Sequence, residues 1–422
     1  MLGPSRSART MAADRARSVG GIHIPEWDES AVEVVRRITT RLLTEPAFGK
    51  VFDGGDSSPS GPAGAGPVLK MVDGRVIREV SASGSHHQIG VSLGKQCRDQ
   101  ALRMEKRFKK NVGAAHGLTV EKALAYCRKT LPSAERYYPE FMDELRGYAE
   151  GSGIGFDLAY AVFCDVPELG KRGCTDIAVN AQWTKDDVVY AAHNEDVSPY
   201  SFDDVVIAHV KPDDEPGYIG VNYGGIMPTV GLNAAGISLT GNAVVPNDTR
   251  IGIPKMIPVR KVLREKGIYQ ALMASMPEGR GHSFNNIVCD PNGEIYSMEG
   301  SATTFDALYA DDGWLVHTNH YLSPKMWKFE DNMHTRFSSI VRYNRARKLF
   351  KHELGQVDVS TFKRVFSDHV GYPESICRHP DPALSEEEQA MSIFSVVFDL
   401  TNRAAWVCAG NPCEGEYKRY EV

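Results

Sequence analysis

The chain has 422 residues, 42% of them apolar and 24% charged, a globular composition with material for a sizeable core. The formal net charge is -6 and the pI about 6.1, with no long basic block, which argues against nucleic acid as a partner. No apolar run reaches the roughly 18 residues of a membrane-spanning helix, so none is expected.

Residues 1–17 carry Arg6, Arg9, Arg15 and Arg17 with no apolar segment behind them. That pattern excludes a secretory signal and favours a disordered tail over a transit peptide. Ala31, Val34, Val35, Ile38 and Leu42 fall on one helical face before Pro46. Residues 54–67 follow, with eleven of fourteen being Gly, Pro or Ser, and are read as a flexible linker. Residues 1–80 are therefore set apart as an N-terminal extension.

From residue 81 to 173 the pattern is mostly helical. One helix is expected over 87–109, a second over 120–131 stopped by Pro132, and a third over 139–150 ahead of Gly151 and Gly153. After Cys174 the texture turns to β. Strands are expected at 188–193, 205–210, 218–223 and 237–241, and helices around 255–276. A hairpin is expected at 287–298, turning through Asp290-Pro291-Asn292-Gly293. Helices at 336–352 and 360–369 and a closing hairpin over 392–409 complete the pattern. Strands, helices and strands again suggest layered α+β or α/β architecture rather than a barrel.

The eight cysteines are spread thinly, unlike a disulfide framework, and point to a reducing, cytoplasmic setting. Cys408 and Cys413 form a C-x4-C pair without a second pair, so no zinc site is expected there. His317 and His320 share neither a helix face nor a strand face, which argues against a metal pair.

Cys174 stands out from the other cysteines. It follows the small Gly173, opens the β-rich region, and lies between the polar Arg172 and Thr175. A thiol there has room to attack the preceding carbonyl. Cleavage of Gly173–Cys174 would free an α-amine titrating near pH 8, a local base for the thiol at physiological pH. Asp196 is a candidate anchor for that amine, with an ordinary turn carboxylate equally open. Asn319, just beyond the apolar strand 314–316, is a candidate oxyanion donor or a strand-end residue satisfying backbone. Neighbours on a strand face opposite ways, and Asp196 rather than Glu195 is expected to face Cys174.

Several motifs then align in order: Gly173-Cys174-Thr175, His193-Asn194-Glu195-Asp196, Gly231-Leu232-Asn233-Ala234-Ala235-Gly236, His317-Thr318-Asn319-His320, and Tyr372-Pro373 with Ser375-Ile376-Cys377-Arg378. Glu144-Leu145-Arg146-Gly147-Tyr148-Ala149-Glu150-Gly151 precedes them. Over residues 85–415 the chain resembles the isopenicillin N acyltransferase (acyl-coenzyme A:6-aminopenicillanic acid acyltransferase) family of N-terminal nucleophile hydrolases. The resemblance implies a four-layer αββα sandwich made as a self-cleaving precursor, with 81–173 as the helical pre-segment and 174–422 as the catalytic domain. It implies Cys174 as nucleophile and cleavage residue, Asp196 as organiser of its amine, and Asn319 in the oxyanion hole. It further implies Asn242 lending its backbone to that hole and Arg342 in support. No metal or cofactor is implied.

Glu195 stands where the family has tryptophan, and Glu386-Glu387-Glu388 where the penicillin enzyme is basic. His193-Asn194-Glu195-Asp196 is similar to β-alanyl-amine hydrolase relatives. The expected activity is hydrolysis of a small-molecule amide through an acyl-thioester. The alternatives are acyl transfer from acyl-coenzyme A and a catalytically silent binding protein. The expected partners are the substrate and the two self-cleaved fragments with each other.

Overall fold

A computed structural model describes residues 75–422 apart from 117–118, 165–172, 227, 332–335 and 386–387. The expected helix at 31–42, the linker at 54–67 and Arg172 lie outside the described residues.

The first strand, β1 (Arg78–Gly84), leads into five helices: α1 (His86–Gln96), α2 (Arg98–His116), α3 (Val120–Tyr137), α4 (Pro139–Ser152) and α5 (Phe156–Phe163). The single helix expected over 87–109 is broken at Cys97, whose backbone leaves helical geometry at φ -106°, ψ 23°. Pro132 does not stop α3. Ala123, Cys127, Thr130 and Ala134 form one buried stripe across the proline. Burying that stripe outweighs the one backbone hydrogen bond a proline removes. Gly90 and Gly94 of α1 face Gly147 and Gly151 of α4 so closely that a Cβ at any of them would strike the opposite backbone.

Six strands follow: β2 (Gly173–Val179), β3 (Tyr190–Val197), β4 (Val205–Pro212), β5 (Tyr218–Tyr223), β6 (Val230–Asn233) and β7 (Ser238–Asn242). Then come α6 (Met256–Val262), α7 (Ile268–Ser275), β8 (Asn285–Cys289), β9 (Ile295–Gly300), β10 (Phe305–Tyr309) and β11 (Trp314–His317). The chain closes with α8 (Arg336–Lys351), α9 (Val359–Phe366), β12 (Met391–Asp399), β13 (Ala404–Ala409) and β14 (Tyr417–Glu421). Both expected hairpins form, β8–β9 and β12–β13. Asn233 secures the β6–β7 turn. Its Oδ1 accepts from Ile237 N at 2.9 Å, and its Nδ2 donates to the Leu263 and Glu265 carbonyls at 2.9 and 2.7 Å.

The strands form two sheets. One has eight strands in the order β1-β4-β5-β6-β7-β8-β9-β10, the other six in the order β11-β2-β3-β12-β13-β14. β1 pairs parallel to β4, so the segment ahead of the helices contributes an edge strand to the larger sheet.

Three apolar clusters define the layers. The first joins α1–α7 to the outer face of the larger sheet through Val206, Ala208, Leu239 and Val288. The second lies between the sheets and includes Ile207, Ile219 and Ile287 opposite Ala178, Ala191, Phe394 and Val396. The third joins the outer face of the smaller sheet, through Ile177, Tyr190, Ala192 and Val397, to Phe350 of α8 and Phe362 and Phe366 of α9. The architecture is therefore an αββα sandwich. Among the described residues no helix is long and apolar enough to cross a membrane.

Candidate active site

Strand alternation sorts the site into two faces. On β2, Ala178 points between the sheets, so Cys174 and Asp176 do too. On β3, Ala191 and Val197 point the same way, and with them His193 and Glu195. The register places Cys174 opposite Glu195, Asp176 opposite His193 and Gly173 opposite Asp196.

A polar chain runs along the inner face. Cys174 Sγ donates to Glu195 Oε2 at 3.4 Å. His193 Nε2 lies 2.7 Å from that same oxygen, and His193 Nδ1 lies 2.9 Å from Asp176 Oδ1. Tyr223, from the larger sheet, donates its hydroxyl to Glu195 Oε1 at 2.7 Å. The expectation that Asp196 rather than Glu195 faces Cys174 is overturned. Glu195 is the carboxylate beside the thiol, because the register makes it the cross-strand neighbour of Cys174.

Burial alone would push the His193 imidazole down, but Asp176 and Glu195 on either side prevail and raise it to about 10. His193 is thus a cation between two carboxylates. The raised value fixes the sign of a pH effect. The stability this cation contributes is fully present below pH 6.5 and is lost as pH rises from 6.5 through about 10. We expect the melting temperature to fall across that window and the fall to flatten in His193→Gln, as measured by calorimetry over a pH series. An unchanged slope in the variant would remove His193 as its source.

The thiol behaves differently. Cys174 is 5% exposed. Burial first, then Glu195, Asp176 and Asp196, push its thiol well above the ordinary range, with Arg342 opposing. Cys174 is therefore a neutral thiol whose proton points at Glu195.

The outer face holds the backbone. Asn319 Oδ1 accepts from Cys174 N at 2.9 Å and from Arg342 Nη2 at 2.7 Å. Two donors at one atom identify that atom as the amide oxygen. Asn319 Nδ2 donates to the Ala243 carbonyl at 3.0 Å. The amide that the sequence suggests for an oxyanion is therefore engaged with the Ala243 carbonyl, and its oxygen holds the Cys174 nitrogen. Asn242, next to Ala243 at the end of β7, accepts through Oδ1 from His317 Nδ1 at 2.9 Å. His317 Nε2 is 2.9 Å from Glu299 Oε1, while His320 Nδ1 is 2.7 Å from Ser339 Oγ, so the two histidines serve different neighbours.

Arg342 projects from α8. It donates through Nη1 to the Cys174 carbonyl at 2.5 Å and to Thr175 Oγ1 at 3.1 Å. Burial, then the facing Arg378, lowers its guanidinium to about 10. Truncation would take a charged donor from three buried acceptors, of which Asn319 Oδ1 keeps Cys174 N as a second donor. Arg342→Met should lower unfolding stability by roughly 3–5 kcal/mol in urea titration, the usual cost of breaking a buried charged contact. A loss below about 1 kcal/mol would show that these contacts hold little.

Asp196 faces the helical layer. Its Oδ1 accepts from Asn194 Nδ2 at 2.8 Å and Ser392 Oγ at 2.7 Å. Its Oδ2 stands 4.0 Å from Arg378 Nε. Burial raises this carboxyl to about 6, against the pull of Arg378 and Arg342. An added Cβ at Gly173 would come within 2.9 Å of Asp196 Oδ2 and 3.3 Å of the Arg378 guanidinium. The glycine ahead of the thiol thus lets these two charged side chains approach the backbone closely.

Asp176, Tyr223 and Ser392 were not singled out from sequence, and His193 and Arg378 stood in motifs without a role. The alternation of Cys174 with Asp176 and of His193 with Glu195 was readable, but the register that joins the pairs was not.

The family described as acyl-coenzyme A:6-aminopenicillanic acid acyl-transferase matches residues 183–414. No curated protein matches the chain. Among solved structures, a mutant of conjugated bile acid hydrolase from Clostridium perfringens aligns with TM-score 0.41 and 12% identity, over 59% of this chain and 97% of that one. Penicillin V acylase from Agrobacterium tumefaciens aligns with TM-score 0.36 and 12% identity, over 56% and 83% respectively. Likeness this low carries no argument about chemistry; the layers rest on the strand pairing and cores above.

Proposed function

The chain belongs to the acyl-coenzyme A:6-aminopenicillanic acid acyl-transferase family, and from that premise we propose that it is a self-activating cysteine enzyme acting on a small-molecule amide. The observation that carries the reading is Cys174. Its thiol proton is directed at a carboxylate, its backbone nitrogen is held by Asn319, and the residue before it is a closely packed glycine.

Self-cleavage would proceed as an acyl shift. Cys174 Sγ attacks the Gly173 carbonyl carbon and passes its proton to Glu195. The C–N bond breaks, the Cys174 nitrogen takes a proton and leaves as an amine, and Gly173 is held as a thioester. Water hydrolyses the thioester to a Gly173 carboxylate and a free thiol.

The new amine has physical consequences. An ammonium beside the thiol lowers the thiol's pKa and opposes the carboxylates that keep it neutral in the uncut chain. Asn319 Oδ1 already faces that nitrogen, and Asp196 sits across the strand from Gly173. In turnover the amine, in its neutral form, receives the thiol proton. The substrate acyl group passes to sulfur, its amine leaves, and water resolves the acyl-enzyme. An amine acceptor in place of water would give acyl transfer, and acyl-coenzyme A would serve as donor in that variant. Once cleaved, residues 1–173 and 174–422 stay together, because β1 and α1–α5 are built into the larger sheet and its helical layer.

The test is the intact mass of the purified chain, followed by a panel of N-acyl amines and amino-acid amides scored for released amine. Two fragments divided between Gly173 and Cys174, together with amine release, support the reading. A single uncut chain that releases none overturns it.

A further inference from the structure

Away from Cys174, four side chains from two separate segments converge. His369 and the Cys377–His379 pair lie between α9 and β12, and Cys413 lies beyond β13. Their nearest ligand atoms all fall within 4.8 Å of one another. His369 Nε2 and His379 Nε2 are 3.1 Å apart, and Cys377 Sγ and Cys413 Sγ are 3.5 Å apart. His379 Nε2 is 3.6 Å from each sulfur.

These separations match a tetrahedral ion. With Zn–N near 2.0–2.1 Å and Zn–S near 2.3 Å, a regular tetrahedron has edges of about 3.3 Å for N–N, 3.6 Å for N–S and 3.8 Å for S–S. A disulfide would account for the two sulfurs but not for two imidazole nitrogens aimed at the same point. Two thiolates with two imidazoles favour zinc over the harder divalent ions. Two thiolates also balance the charge of a divalent ion, their protons leaving to solvent on binding. We propose that His369, Cys377, His379 and Cys413 bind one zinc ion in a closed, structural site.

The site has a task in this fold. Asn411 Nδ2, from the Cys413 loop, contacts Cys377 Sγ at 3.4 Å and the Arg378 carbonyl at 2.7 Å. Arg378 lies between the two ligands Cys377 and His379, and its guanidinium is packed against Gly173 and Asp196. Asn194 Nδ2 donates to the Ile376 carbonyl at 3.0 Å in the same segment. The ion would pin the backbone that positions Arg378 beside the scissile glycine.

The experiment uses the full chain carrying Cys174→Ala, which removes the cysteine of the one other cluster of three or more possible ligands among the described residues, Cys174 with His193 and Glu195. Metal content is measured by plasma mass spectrometry after purification under reducing conditions. Cobalt(II) is then exchanged in and read by its thiolate charge-transfer absorption. One zinc per chain is expected, with a tetrahedral cobalt spectrum. Zinc content should fall at least tenfold in Cys413→Ser and in His369→Ala, at a half-buried and an exposed position, and stay at one in Cys408→Ala. Zinc content unaffected by either ligand variant overturns the proposal. So does a folded chain that takes up neither zinc nor cobalt, including one in which Cys377 and Cys413 are joined as a disulfide.

Discussion

Cys174→Ala is expected to leave a single chain near 46.5 kDa that releases no amine from any substrate in the panel. The effect is expected to be complete, because alanine removes the one thiol in the cluster, the group that would carry the acyl bond. The alanine is smaller than cysteine and takes the same backbone, so the contacts of Cys174 N with Asn319 and of Cys174 O with Arg342 persist. Circular dichroism should therefore show a folded chain. If the variant still divides between residues 173 and 174, an outside protease does the cutting and the self-processing reading fails.

The second large effect belongs to Glu195. Glu195→Gln keeps the shape but removes the proton acceptor 3.4 Å from Cys174 Sγ. Removing a positioned base typically costs a hundredfold or more. We expect self-cleavage of freshly synthesised chain, followed by gel densitometry, to slow roughly a hundredfold. Asp196→Asn should slow it less. That side chain faces the helical layer, and its Oδ1 contacts with Asn194 and Ser392 tolerate an amide oxygen. This ranking reverses what the motif suggests on its own. A slower Asp196→Asn would mean that the Gly173 side of the bond, not the thiol side, limits the reaction.

The expected β12–β13 hairpin, the Asp290–Gly293 turn and the helices expected at 336–352 and 360–369 follow from local pattern, and the structure contains them within a few residues of those bounds. Such features are carried by residues close in sequence, where hydrophobic period and turn chemistry suffice. Two helices depart from the expected pattern. The chain leaves helical geometry at buried Cys97, where the apolar pattern runs on, and it stays helical through Pro132, where a buried stripe spans the proline.

By itself, then, the sequence determined the kind of elements, their order, and the singular placing of Cys174 after a glycine at a helix-to-strand transition. Only the tertiary structure decided which groups meet there. Whether Glu195 or Asp196 faces the thiol depends on which residue of β3 pairs with Cys174, and a shift of one residue would exchange them. That register is set by burial of Ala178, Ala191 and Val197 between the sheets, a property of the assembled layers. The orientation of Asn319 is decided by Arg342, which comes from α8 and donates to the same oxygen as Cys174 N. The cluster of His369, Cys377, His379 and Cys413 was hidden for the same reason. The C-x4-C spacing directs attention to Cys408, but Cys408 is buried on β13 beside β12, while Cys413 turns to meet a loop 36 residues earlier.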